Sequence, residues 1–267
     1  MTLNSMHLLF IRFYVKSTFL FFVFILGQNN IVGQTRISPG ADSFKVYLPR
    51  LKNKKVGVVA HQASLLFNKS NNQHLIDFLK ENDIEIKKIF APEHGFRGKA
   101  DNGEKIGDYY DNETGIPIIS LYGKNKKPSK ENLKNLDIVI FDLQDVGVRF
   151  YTYVSTLHYV MEACAEMKIP VILLDRPNPN LHYIDGPVLE EKYSSFVGMH
   201  PVPIVYGMTI GEYALMINGE GWLENDLYCD LYVVKNRFYS RQSIIPINIP
   251  PSPNLPSMQS IFYYPSL

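Results

Sequence analysis

The chain has 267 residues, of which 46% are hydrophobic, enough for one large domain or a domain and a half. Its 27 basic and 26 acidic residues give a formal net charge of +1. No basic stripe with interleaved aromatic residues occurs, so a nucleic-acid partner is not expected.

Residues 1–34 have the pattern of a signal peptide. Arg12 and Lys16 precede a short apolar run from Ser17 to Gly27, which is too short to favour a membrane-spanning helix. We predict cleavage near residues 33 and 34, and no cysteine follows the run to carry a lipid. The sequence therefore predicts a secreted or periplasmic protein without a stable membrane anchor.

From Lys55 onwards, short apolar runs alternate with helical patterns. Strands are predicted at 56–60, 84–91, 116–121, 138–141, 171–174 and 227–234. Helices are predicted around 75–79, capped by Asn71 or Asn72, after Ser129, over 154–167, and after the capping-box residues Thr209 and Glu212. This alternation predicts an α/β fold with a mainly parallel sheet. A long polar loop follows the second strand, as binding loops often do.

Polar side chains follow four of these strands. They are His61 after the first, Glu93, His94 and Arg97 after the second, Asp142, Asp145, Arg149 and Tyr151 after the fourth, and Asp175, Arg176 and Asn178 after the fifth. Ligands bind outside the carboxyl ends of parallel strands, so we expect these residues to share one rim. Their chemistry suits acid–base work or recognition of sugar hydroxyls.

Glu93 is the first candidate for a general acid, because Phe90 and Phe96 offer apolar surroundings that favour a protonated carboxyl. The alternative is a salt bridge to Arg97. His94 either orients a carboxylate or substrate, or is structural, and the same two interpretations apply to His61.

The remaining rim residues each have a functional and a structural interpretation. Asp142 and Asp145 position a water or a sugar hydroxyl, or cap the next helix. Arg149 and Arg176 form a bidentate clamp for a carboxylate, or neutralise Asp145 and Asp175. Turn formation alone explains the Asn178 side chain, and Tyr151 stacks on a sugar or belongs to the core.

Several standard motifs do not occur. The sequence has no dinucleotide fingerprint, phosphate-binding loop or nucleophile-elbow motif, and no CxxC or HExxH pattern, so we predict neither a cofactor nor a metal. Cys164 and Cys229 are predicted to be small buried apolar residues, with a disulfide between them as the alternative in an oxidising compartment.

Six motifs together resemble the NamZ family of exo-acting β-N-acetylmuramidases. They are VAHQAS at 59–64, APEHGFRG at 91–98, FDLQDVGVRFYTY at 141–153, LDRPNP at 174–179, DGP at 185–187 and PSPNLP at 251–256. The resemblance implies a secreted glycoside hydrolase that removes terminal N-acetylmuramic acid from the non-reducing end of peptidoglycan fragments. Its partners would be muropeptides or disaccharides.

The resemblance also implies a domain organisation. A Rossmann-like α/β domain with helices on both sheet faces would span 35–235, and residues 236–267 would form a linker and the beginning of a smaller, truncated C-terminal domain. The active site would lie in the cleft between the two domains. Truncation would leave the apolar end from Ile261 to Tyr264 exposed.

Carried over to this chain, the resemblance makes Glu93 the catalytic acid. His94, Arg97, Asp142, Asp145 and Arg149 would line the cleft. Arg149 or Arg176 offers a natural partner for the lactyl carboxylate of muramic acid.

Three functional hypotheses follow. The first is a glycosidase that pairs Glu93 with Asp142 or Asp145, or that relies on the N-acetyl group of its substrate and one strong acid. The second is a non-catalytic muropeptide-binding domain. The third is a metal-dependent hydrolase using His61, His94 and an aspartate. The sequence makes no prediction of oligomeric state.

Overall fold

The computed structural model describes residues 37–67, 72–97, 109–243, 247 and 249–266. The predicted signal peptide and Asn71, one of the two predicted helix caps, lie outside the described residues. So does most of the predicted polar loop after the second strand, residues 98–108.

A seven-stranded sheet forms the centre of the fold. Its strands are β1 (Lys55–Ala60), β2 (Glu85–Ala91), β3 (Tyr109–Tyr110), β4 (Pro117–Ser120), β5 (Ile138–Asp142), β6 (Val171–Leu174) and β7 (Leu231–Val234). They lie in the order β3-β4-β2-β1-β5-β6-β7, and all neighbours are parallel except β3 and β4. The predicted α/β fold with a mainly parallel sheet is confirmed.

Helices connect and cover the strands. The α-helices are α1 (Phe44–Leu51), α2 (Leu75–Glu81), α3 (Lys130–Leu133), α4 (Tyr153–Glu166), α5 (Ile210–Gly219) and α6 (Met258–Tyr263). Short 3-10 helices occupy Gly40–Asp42, Glu191–Tyr193, Glu224–Asp226 and Tyr264–Ser266. Among the described residues, no helix has both the length and the apolar character needed to cross a bilayer.

Alternating side chains of the central strands enter two separate cores. Val58 of β1 packs with α1 and α2, whereas the next residue, Val59, packs with α4 and α5. Ile140 and Phe141 of β5 divide in the same way. Successive side chains of a strand point to opposite faces, so a continuous apolar run is what a sheet with helices on both faces requires.

Two of the predicted helix caps are confirmed and one is wrong. Ser129 and Thr209 form complete capping boxes at α3 and α5. At α2 the cap is His74, whose Nδ1 accepts a hydrogen bond from the Ile76 amide at 3.2 Å. An imidazole nitrogen can take the role usually given to a hydroxyl or carboxylate, which a search for Ser, Thr, Asp and Asn does not find.

The predicted last strand is shorter than expected, beginning at Leu231 rather than at residue 227. The amide and carbonyl of Cys229 bond to the side chain of Asn218 at 3.1 and 2.9 Å, so they are not available for a strand ladder. Both Cys229 and Cys164 are buried free thiols, and burial raises the pKa of each.

The C-terminal part of the described chain packs against the α/β core. Leu255 and Ile261 are buried in the core on the α4 side of the sheet. Phe262 and Tyr263 are exposed. The predicted apolar exposure near the end therefore holds for these two side chains and is wrong for Ile261.

Candidate functional site

A cavity of about 250 Å³ lies at the carboxyl ends of the strands, beside Glu93. Its lining comes from the turn after β2, the start of α4 and the C-terminal segment. The lining residues are Glu93, His94, Tyr122, Phe150, Tyr151, Thr152, Val197, Ser252, Asn254, Leu255 and Tyr264. Of the predicted site residues, the structure brings Glu93, His94 and Tyr151 together here.

The backbone after Glu93 turns sharply. His94 and Gly95 both adopt left-handed conformations, with φ of 71° and 75°. For a residue with a side chain this costs on the order of 1 kcal/mol, and such strain concentrates at functional sites. The turn lets the neighbouring side chains of Glu93 and His94 line the same cavity.

Two hydroxyl groups contact the Glu93 carboxylate. The Thr152 Oγ1 donates to Glu93 Oε2 at 2.9 Å. Burial raises the pKa of Tyr122 to about 12, and a hydrogen bond to Glu93 and the Glu93 charge add to the effect. The side chain of Glu93, in a residue 7% exposed overall, is thus held in one orientation at the cavity wall.

Thr152 is the residue before α4, and its hydroxyl makes no capping bond to the helix. The hydroxyl donates its hydrogen bond to the Glu93 carboxylate instead. Neither Thr152 nor Tyr122 is among the site residues predicted from the sequence. The sequence did offer a signal for Thr152, because a threonine stands directly before a strong helical pattern. The role of Tyr122 depends on a tertiary contact, which the sequence does not show.

Aromatic rings form another part of the cavity lining. The Tyr264 ring meets the lining rings of Tyr151 and Phe150 with centroid distances of 6.0 and 5.0 Å. Tyr153, which does not line the cavity, packs edge to face behind Tyr151 at 4.6 Å. Such pairs stabilise one another beyond simple burial. They give the site a rigid apolar surface of the kind on which a sugar ring packs.

The segment 250–255 closes the cavity from the C-terminal side. Gln62 Nε2 donates to the carbonyls of Pro250 and Pro251 at 3.0 Å each, and the Tyr153 hydroxyl donates to Pro251 at 3.1 Å. These bonds place Ser252 and Leu255 at the lining. The PSPNLP motif thus supplies a wall that the sequence analysis did not assign to the site.

Asp142 and Arg176 do not line this cavity. They form a buried bidentate ion pair, with Nε–Oδ1 and Nη2–Oδ2 distances of 2.6 and 2.7 Å. Arg176 is 1% exposed, and its guanidinium pairs with Asp142. The predicted alternative of an ion pair between Arg176 and Asp175 is therefore wrong. The bonds to Asp142 use Nε and Nη2 of Arg176 and both oxygens of Asp142, whereas the buried Nη1 of Arg176 has no hydrogen-bond partner among the described residues.

His61 also lies away from the cavity. It is fully buried, and its Nε2 accepts a hydrogen bond from the Gln144 amide at 2.9 Å. Burial, followed by the Arg176 charge, holds the pKa of His61 well below its ordinary value. The neutral imidazole therefore ties the turn after β1 to the turn after β5.

Asp175, Asn178 and Arg149 hold the chain that follows β6. Asp175 Oδ1 accepts from the Gly211 amide at 2.8 Å, at the start of α5, and burial raises the pKa of this carboxyl to about 7. Asn178 Nδ2 donates to the Met208 carbonyl at 2.7 Å.

Arg149 Nη1 donates to the carbonyls of Pro187 and Val202 at 2.8 and 2.5 Å. These bonds place the guanidinium against the segment after β6, away from the buried pair of Arg176 and Asp142. The structure therefore does not bring Arg149 and Arg176 together as a clamp.

Asp145 is buried beside Tyr206 rather than in the cavity. Its Oδ2 accepts from the Tyr206 hydroxyl in a short hydrogen bond and from the Gly147 amide at 2.7 Å. Burial raises the pKa of Asp145 to about 6, and these hydrogen bonds oppose the shift. The carboxyl therefore takes up a proton in the folded state at a pH where an unfolded aspartate is ionised.

This raised pKa predicts a specific pH dependence of stability. Between about pH 4 and pH 6 the folded protein binds a proton at Asp145 that the unfolded chain has lost, so the free energy of unfolding falls as the pH rises. The contribution of this group is on the order of 3 kcal/mol. We expect Asp145→Asn to remove this part of the fall, measured by urea unfolding at several pH values.

The exposed Asp230 provides the matched control, since Asp230→Asn removes one carboxyl that is open to solvent. Identical pH slopes for Asp145→Asn and the wild type would show that Asp145 ionises alike in the folded and unfolded states.

A second cavity, of about 330 Å³, lies on the other side of His94. Its lining residues are His94, Gly95, Arg97, Tyr109, Tyr110, Asp111, Asn112 and Glu113. Arg97 binds both carboxylate oxygens of Asp111 at 2.9 and 3.1 Å and reaches Glu113 at 3.0 Å. The predicted alternative of a salt bridge between Arg97 and Glu93 is therefore replaced by an ion pair within this second cavity.

The metal hypothesis required His61, His94 and an aspartate in one cluster. Within the part of the chain that the structure describes, no three His, Cys, Asp or Glu residues come together as metal ligands. The Nε2 of His61 is already occupied by the Gln144 amide.

The chain is similar in sequence to known proteins. Residues 56–259 match the family described as "Exo-beta-N-acetylmuramidase NamZ, N-terminal". The chain is 43% identical over 247 residues to the peptidoglycan beta-N-acetylmuramidase NamZ of Bacillus subtilis (strain 168), covering 90% of this chain and 58% of the relative. This chain thus spans less than two thirds of that relative's length.

Two crystal structures of DUF1343 family proteins from Bacteroides fragilis have the same fold. One is 46% and the other 37% identical to this chain, each with a TM-score of 0.77 over 86% of it. The matched regions are 60% and 58% of those chains.

Proposed function

This chain belongs to the NamZ family of exo-β-N-acetylmuramidases, and we propose that it releases terminal N-acetylmuramic acid from the non-reducing end of peptidoglycan fragments. The observation that carries the proposal is the Glu93 carboxylate, which two hydroxyl groups orient at the wall of an aromatic-lined cavity. A positioned carboxyl beside a sugar-sized apolar surface is what protonation of a glycosidic oxygen needs.

Glu93 acts in this proposal as the general acid. Asp142 and Asp145 are both engaged elsewhere, and among the described residues that line the cavity Glu93 is the one carboxylate. This arrangement favours the substrate-assisted course over a pair of enzyme carboxylates. The N-acetyl oxygen attacks the anomeric carbon while Glu93 protonates the departing oxygen, and Glu93 then takes a proton from the water that opens the cyclic intermediate.

The lactyl carboxylate of the substrate needs a cationic or hydrogen-bonding partner. No lysine or arginine is among the cavity-lining residues in the described ranges, and two nitrogens of the buried Arg176 guanidinium bind Asp142 outside this lining. His94 is the basic side chain at this wall, so we assign it to the lactyl group. Ser252 and Asn254 offer further polar contacts.

We also propose that the protein is exported. The apolar run behind Arg12 and Lys16 has the form of a signal peptide, and a peptidoglycan-derived substrate lies outside the cytoplasm. Muropeptides or disaccharides with muramic acid at the non-reducing end are the partners that this proposal requires.

Product analysis tests the proposal. The purified protein is incubated with a disaccharide that carries N-acetylmuramic acid at its non-reducing end, and free sugar is followed by mass spectrometry. We expect release of the monosaccharide, and none from a matched disaccharide with N-acetylglucosamine at that end. Calorimetric binding of the first disaccharide without any release would instead support a non-catalytic binding domain.

A further inference from the structure

We propose that the second cavity, beyond His94, binds the uncharged sugar on the leaving-group side of the bond that is cleaved. This assignment rests on the proposed function and extends it to the part of the substrate that departs. The carrying observation is that His94 lines both cavities while its neighbour Glu93 lines the first.

The position of His94 makes the two cavities neighbours. The left-handed turn at His94 and Gly95 presents one side chain to both spaces. A chain of two sugars lying across His94 has its glycosidic oxygen at the boundary between the cavities, where the Glu93 carboxylate is held. The terminal sugar then occupies the aromatic cavity and the next sugar occupies the second one.

The lining of the second cavity suits a sugar ring. Tyr110 lies on the edge strand β3 and is 69% exposed, so its ring is available for stacking. The volume of about 330 Å³ falls within the usual range for small-molecule sites, roughly 300–1,000 Å³. The side-chain amide of Asn112 and the Nη1 group of Arg97, which the bonds to Asp111 and Glu113 do not use, are hydrogen-bond donors for hydroxyl or acetamido oxygens.

The charged side chains that line the second cavity favour an uncharged ligand. The Arg97 guanidinium is held by Asp111 and Glu113, so two carboxylates face one arginine in this lining. A ligand carboxylate would have to displace one of them or lie beside both, and like charges at such distances repel. Arg97 therefore presents oriented N–H groups without a net positive field, which fits a neutral amino sugar and disfavours an acidic one.

The test uses two substrates with the same terminal N-acetylmuramic acid. One carries N-acetylglucosamine as leaving group and the other a methyl group, which is too small to enter the second cavity. We expect Tyr110→Ala to lower kcat/KM for the disaccharide about tenfold, mainly through KM, since one aromatic contact is lost. For the methyl β-glycoside the change should stay within about twofold.

Two variants serve as controls. Tyr110→Phe keeps the ring and should behave like the wild type. Tyr228→Ala removes another exposed tyrosine, 72% exposed and away from both cavities, and should affect neither substrate. Equal losses on both substrates in Tyr110→Ala, or no loss on either, would overturn the subsite.

A direct binding measurement separates this inference from the proposed function. If the wild type releases no sugar from either substrate, the proposed function fails, and the subsite is judged by NMR titration with free N-acetylglucosamine. Binding by the wild type that is lost in Tyr110→Ala, together with weaker binding of glucuronic acid, supports the subsite. Absence of binding, or a preference for the acidic sugar, contradicts it.

Discussion

Replacing Glu93 with glutamine is expected to lower kcat/KM for release of N-acetylmuramic acid by about 10²–10⁴-fold. Glutamine has nearly the same shape, and its carbonyl oxygen can still accept the hydrogen bond from Thr152. It cannot, however, donate a proton to the departing oxygen and recover it from water. The measurement is the rate of monosaccharide release from the disaccharide.

The exposed Glu81 gives a matched control, because Glu81→Gln removes one carboxyl from the end of α2 without touching either cavity. Thermal unfolding of both variants establishes that they are folded. Activity of Glu93→Gln within tenfold of the wild type would show that another group protonates the leaving oxygen.

A large effect on stability, rather than on catalysis, is expected from Arg176→Met. The change leaves the Asp142 carboxylate buried without its bidentate partner, and removal of one member of such a pair typically costs about 3–5 kcal/mol. Urea unfolding measures the loss. The expected loss comes from the Asp142 carboxylate that is left buried without a partner, not from the net contribution of the ion pair to stability.

The double variant Asp142→Asn with Arg176→Met isolates that reason. It removes both charges while keeping similar volumes, so we expect it to recover more than half of the stability lost in Arg176→Met. A double variant that is no more stable than Arg176→Met would show that the unpaired Asp142 charge is not the source of the loss.

The strands were predictable because their signal is local. The run Ile138 to Phe141 is apolar at every position, which is typical of a short strand buried on both faces. The turn after β2 was equally predictable from the sequence, because a carboxylate and an imidazole follow a strand directly. The prediction that these side chains follow strands at the carboxyl edge of one sheet is confirmed.

What the sequence could not show is where each rim side chain points. Asp142 is the last residue of β5 and Glu93 follows β2, yet Asp142 faces an arginine in the interior and Glu93 faces a cavity. That difference depends on which residues arrive from other strands. Tyr122 and Ser252 were missed for the same reason, as each reaches the site only through tertiary packing.

The wall formed by residues 250–255 has a consequence for the order of assembly. Pro251 lies far along the chain from the Glu93 turn, and the pairing of β1 with β2 and β5 involves no residue of this segment. Contacts between segments so distant in sequence form late, because the intervening chain must first lose its freedom. Before residues 250–255 have packed, the Tyr151 and Phe150 side of the cavity lacks this wall, so we expect a partly folded chain to expose an apolar surface there.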